Sequence, residues 1–160
     1  MISVKLICVG KMKEKYYISA FDEYKKRLGA FCKFELVELT EQRLSDSPSD
    51  KEISAALEKE AAEIEKQIPA GAAVTALCIE GALKSSTELA SQVEKWTNAG
   101  KSKLCFIIGG SCGMSERIKA SADLKLSMSK MTFPHHLARV MVIEQIYRAF
   151  TIIDGSKYHK

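Results

Sequence analysis

The sequence has no CxxC pair, and its five cysteines are an odd number. That pattern argues against a disulfide framework and points to reduced thiols, as in a cytoplasm. No apolar run approaches the roughly 20 residues of a membrane span. The opening segment, residues 1–10, lacks a basic n-region and a small-residue cleavage site, so no secretory signal is expected. There is no GxGxxG and no Walker lysine, which counts against NAD(P) binding and nucleotide hydrolysis. His135 and His136 are adjacent and the cysteines lie far from them in sequence, so no metal site is expected. No internal repeat, low-complexity tract or linker interrupts the chain, and residues 1–160 are read as one domain.

What is present is an ordinary globular composition, 46% hydrophobic and 28% charged over 160 residues. Such a chain should bury roughly two-thirds of its unfolded surface without a metal or disulfide. The formal charge is +4, and it is unevenly spread. Residues 1–39 carry a net +3, residues 40–100 a net −5 and residues 101–160 a net +6. A solvated helix accounts for the acidic middle. The basic last block also holds all three histidines, and it suggests an anionic partner.

Strands and helices alternate along the chain. Ser3–Val9 is a short β-branched run ending at Gly10. Lys13–Leu28 places Tyr17, Phe21, Tyr24 and Leu28 on one helical face before Gly29. Phe34–Leu39 reads as a strand, and the polar stretch Thr40–Asp50 reads as a mobile loop. Ser49 with Glu52, and Ser85 with Glu88, fit capping boxes that open two further helices. Strands are expected at Ala73–Ile79, Leu104–Ile108 and Leu124–Ser127, and a short helix near Ser115–Ala122. Leu137–Ile153 is apolar almost all round, as in a buried helix or an oligomer interface. This order predicts a parallel-type α/β sheet with helices on both faces.

Several clusters carry candidate chemistry. Gly109-Gly110-Ser111-Cys112-Gly113 follows a buried strand and precedes a helix, where ligands approach the strand ends of open α/β sheets. A tight turn alone would look the same. Ser127–His135 joins Met128, Met131 and Phe133 to small polar groups. It can wall an aromatic ring or plug the core. Arg139, Glu144, Tyr147 and Arg148 share one helix too apolar to carry them unpartnered. Arg139 suits either an RNA phosphate or a neighbouring carboxylate. Lys11, Lys13 and Lys15 beside Tyr16 and Tyr17 could clamp phosphates, or the tyrosines could face the core. Cys8, Cys78 and Cys105 are read as apolar fillers, and Cys112 as a spacer with no adjacent base.

Together these motifs resemble one family. The matching stretches are Val9-Gly10-Lys11 with Lys13–Tyr16, the Ile107–Gly113 turn, Leu126–His135, Arg139 with Glu144–Ala149, and the terminal Tyr158-His159. They resemble the SPOUT-class large-subunit rRNA pseudouridine N3-methyltransferases over essentially the whole chain. The resemblance implies a C-terminal deep trefoil knot, a homodimer, S-adenosylmethionine as cofactor and ribosomal RNA as substrate. Carried over, cofactor contacts fall at Leu77, Gly109, Met128, Ser129, Lys130, Met131, Thr132 and Phe133. Where the family often has an acidic residue after the strand leucine, this chain has Cys78, and Ala82 stands where lysine is common.

Methylation at N3 requires loss of a proton from a poor nucleophile. On this reading Arg148 stabilises charge on the uracil carbonyls and Glu144 orients it. Tyr158 and His159 position the base, and His159 or His135 takes the proton. Two rivals remain at this stage. One is a related enzyme acting on another RNA position; the other is a ribosome-associated RNA-binding factor without catalysis.

Overall fold

A computed structural model describes residues Met1–Lys160. Its five strands are β1 (Ser3–Val9), β2 (Lys33–Leu39), β3 (Ala73–Leu83), β4 (Lys103–Ile108) and β5 (Leu124–Ser127). They form one sheet in the order β2-β1-β4-β3-β5, and every neighbouring pair is parallel. The helices are α1 (Lys15–Leu28), α2 (Asp50–Gln67), α3 (Ser86–Asn98), α4 (Glu116–Ser121) and α5 (His135–Asp154). Both expected capping boxes are present, at Ser49 and Ser85. No helix is long and apolar enough to cross a membrane.

The alternation of side chains along β1 and β4 divides the core in two. Val4, Leu6, Cys8, Leu104, Phe106 and Ile108 point to one face, where Phe21, Val93 and Ile146 bring in α1, α3 and α5. Ile7, Val9, Cys105 and Ile107 point to the other, against Ala61 and Ile64 of α2 and Ile118 of α4. A period of two along each strand therefore requires cover on both sides. The helices after β1 and β4, α1 and α4, fall on opposite faces. β1 and β4 are neighbours, so a crevice opens beyond their carboxyl ends.

Three elements differ from their expected bounds by two residues or more. β3 continues to Leu83, because its register on β5 jumps between Leu77 and Ala82. Gly81 permits that path: a Cβ there would lie 2.7 Å from the Lys125 carbonyl carbon. α5 starts at His135 rather than Leu137, and α1 at Lys15 rather than Lys13. The Thr40–Asp50 stretch is a loop as expected, but its start is tied down. The Gln42 amide donates to Glu60 at 2.8 Å, and Glu41 is held by Ser111.

Candidate active site

The turn after β4 and the loop after β5 face each other across a cleft of about 330 Å³. Leu77, Gly109, Met128, Ser129, Met131, Thr132 and Phe133, all expected at a cofactor, lie on its walls. Lys130 does not; its side chain is exposed. Ten of the 19 lining residues are hydrophobic, so the walls can desolvate an apolar ring. A Cβ on Gly109 would sit 2.2 Å from the Gly113 carbonyl oxygen. The turn closes on itself only because that position carries no side chain.

Glu41 holds this turn from outside. Its Oε1 accepts from the Ser111 amide at 2.8 Å and from the Ser111 hydroxyl at 2.5 Å. A Cβ on Gly110 would lie 2.7 Å from the same oxygen. Burial would raise the Glu41 carboxyl, but the two Ser111 bonds, with His135 and His136 nearby, together hold the group below its ordinary value. No pattern in the sequence links residues 70 positions apart, so only the fold reveals this pairing.

Cys78 departs from its reading as a buried filler. It is half-buried and lines the cleft, where burial raises its thiol and keeps it protonated. Cys8 and Cys105 are fully buried, with their thiols pushed to about 12 by desolvation. Glu80 and Lys119 also line the cleft, joined at 2.6 Å, and no sequence motif marks either.

A second cluster sits further along α5. Glu144 Oε1 accepts from Arg148 Nε at 3.0 Å, from Arg148 Nη2, and from the Tyr158 hydroxyl at 3.1 Å. The guanidinium lies over the Tyr158 ring, 4.8 Å from its centroid. Arg148 Nη1 meets His159 Nδ1 at 3.1 Å. A guanidinium only donates, so Nδ1 accepts and the proton of a neutral His159 sits on Nε2. The Glu144 carboxylate keeps the Arg148 proton bound. Burial, with Tyr24 and Glu144 nearby, raises the Tyr158 phenol, so it remains a donor. Arg148, Glu144, Tyr158 and His159 are thus one constellation, whereas His135 lies apart on the cleft wall. Burial first, then His136, lowers the His135 imidazole below its ordinary value.

The structure places two of the remaining motif residues, Arg139 and Tyr16. Arg139 is fully buried and pairs with a carboxylate: Nη1 donates to Glu38 at 2.6 Å and Nη2 to the Gly10 carbonyl at 3.0 Å. Tyr16 is 67% exposed and does not face the core. No three His, Cys, Asp or Glu side chains are grouped to hold a metal ion.

Sheet order and cleft together define a parallel α/β domain with a cleft of small-molecule size at the carboxyl ends of its strands. The chain belongs to the SPOUT methyltransferase family, whose model, described as "Predicted SPOUT methyltransferase", matches residues 2–159. It is 44% identical over 159 residues to the ribosomal RNA large subunit methyltransferase H of Bacillus pumilus, covering 99% of this chain and 100% of that one. It is 45% identical to the protein of that name from Clostridium botulinum, with the same coverage. A solved structure from Haemophilus influenzae, called "a probable methylase family protein", shares the fold at TM-score 0.54 and 15% identity. That match covers 98% of this chain and 70% of that one.

Proposed function

We propose that the protein methylates N3 of a pseudouridine in large-subunit ribosomal RNA, with S-adenosylmethionine as donor. The observation that carries this reading is the pairing of an apolar cleft at the strand ends with the Arg148-Glu144-Tyr158-His159 constellation. The cleft volume falls at the lower end of the range of about 300–1,000 Å³ typical of small-molecule sites. Leu77, Met128, Met131 and Phe133 offer apolar cover, and the Gly109 turn allows backbone approach. When bound, the cofactor supplies a methyl group on a sulfonium, already activated for transfer.

The protein's own residues then align the nucleotide and handle its proton. Arg148 faces the negative charge that develops on the uracil ring, and Glu144 fixes its plane. His159 Nδ1 is occupied by Arg148, so its Nε2–H serves as a donor that positions the base. His135 is the imidazole left free to accept the N3 proton, and its lowered basicity keeps it neutral at pH 7.

Glu144 and Arg148 lie six and ten residues beyond Ala138, which lines the cleft. At 1.5 Å per residue that is roughly 9 and 15 Å along the helix. A homodimer in which one subunit's α5 and tail complete the partner's cleft closes this gap. Membership of the SPOUT family supports a knotted path through the C-terminal half.

Labelled methyl transfer to purified ribosomes and to naked rRNA, with the nucleoside identified by mass spectrometry, tests the assignment. Label on N3 of pseudouridine is expected. Label on another atom overturns the specificity, and cofactor-independent RNA binding without transfer overturns the enzyme reading.

Gly109→Ala is expected to weaken cofactor binding about tenfold or more, because the turn must open to admit a methyl group. Calorimetry on the folded variant reads this directly. Unchanged affinity would remove the turn from the cofactor site.

A further inference from the structure

A second cavity, of about 440 Å³, adjoins the cleft and shares His135 with it. No hydrophobic residue lines it. Lys11, Lys13, Thr40, Glu41, His135 and His136 surround it, beyond the carboxyl ends of β1 and β2. It lies beside the crevice where the helices following β1 and β4 part to opposite faces.

The charge balance of this cavity favours an anion. Glu41 is its one lining acid, and Oε1 is already engaged by the two Ser111 donors. His136 is turned toward Glu14, with 3.5 Å between Nδ1 and Oε2. Lys11 and Lys13 have no salt-bridge partner within 4.0 Å. His135 and His136 are the first two residues of the 20-residue helix α5, and Pro134 before them gives no side-chain cap. The amides of that first turn are donors without helical acceptors, at the positive end of the helix dipole.

The loop that carries the lysines is also held firmly. The Met12 amide, between them, donates to Glu38 at 3.0 Å, and Glu38 pairs with buried Arg139. Arg139 also fastens the Gly10 carbonyl. Lys11 and Lys13 therefore extend from a fixed backbone, one on either side of a pinned residue. Lys15, Tyr16 and Tyr17 do not line the cavity, so the basic-aromatic segment seen in the sequence divides here.

We infer that this cavity holds a phosphodiester of the RNA strand next to the nucleotide in the cleft. The inference rests on the rRNA reading above and gives it a register. The shared wall at His135 sets the phosphate and the reacting base on either side of one imidazole. Two ammonium groups, helix amides and the Thr40 hydroxyl match a singly charged diester with several acceptor oxygens.

The test uses the full-length Lys11→Gln/Lys13→Gln chain, with ribosomes as substrate at several salt concentrations and calorimetry for the cofactor. The apparent KM for ribosomes is expected to rise about tenfold. The log–log salt dependence should flatten by about 0.7–0.9 for each phosphate that is no longer neutralised. Cofactor affinity should stay within about twofold, since neither lysine lines the cleft. The Lys11→Arg/Lys13→Arg chain should restore the salt dependence. Unchanged KM and slope in the glutamine variant, with the unaltered enzyme active, overturn the phosphate site alone. Failure of the arginine chain to restore the slope does the same. An unaltered protein that neither binds nor methylates rRNA overturns the functional reading beneath it.

Discussion

The Arg148→Ala enzyme is expected to lose turnover by about 10²- to 10³-fold, the range seen when one donor to a developing oxyanion is removed. Cofactor affinity should not change, because Arg148 is not among the residues of the cleft. The truncation removes the bonds to Glu144 and to His159 and the packing on the face of Tyr158. Glu144 then keeps only Tyr158 and Gln145 as donors, and His159 is free to change tautomer. Arg148→Lys restores charge but not the fork that meets Glu144 and His159 together, so it should recover only part of the rate. Steady-state kinetics with saturating ribosomes, beside calorimetry of the cofactor, separate the two effects. Full turnover in the alanine enzyme would exclude Arg148 from the chemistry.

Arg139→Ala is expected to destabilise the fold by about 3–5 kcal/mol, the cost of removing one partner of a buried ion pair. Arg139 is 0% exposed and the Glu38 side chain only 29% exposed, so solvent cannot fully replace the missing guanidinium. The Gly10 carbonyl is deprived of its donor as well. For a domain of this size each kcal/mol lowers Tm by roughly 2–4 °C, so a fall of about 6–20 °C should appear in thermal melts. Arg139→Met combined with Glu38→Leu replaces both charges by apolar groups and should recover much of the stability. A change below about 1 kcal/mol for Arg139→Ala would show that the pair is not the anchor its burial suggests.

The two arginines on α5 mark the limit of reading the sequence alone. Both stand on a helix too apolar to carry them unpartnered, and that much is visible in the order of residues. Glu144 is legible as the partner of Arg148 because four residues on a helix make one face. Glu38 lies 101 positions from Arg139, so only the folded sheet brings it near. The same holds for Glu41 and Ser111. The strands are legible because their apolar runs are bounded by Gly10, Gly100 and the Gly109 turn. Glu80–Leu83 is not, since Glu80 and Gly81 break the alternation and only pairing to β5 makes it a strand. The cleft walls fall where the glycine turn and Met128–Phe133 are expected, while Glu80 and Lys119 come from stretches with no motif.

The order of the sheet sets a timetable for synthesis. Ser3 of β1 pairs with Lys33 on one side and with Lys103 on the other. The first partner emerges from the ribosome early. The second follows 100 residues after Ser3, or roughly 5–20 s at ordinary elongation rates. Throughout that interval one edge of β1 has no strand to receive its amides and carbonyls. The nascent chain thus presents an open, apolar edge for most of its translation, until β4 is inserted into the centre of the sheet.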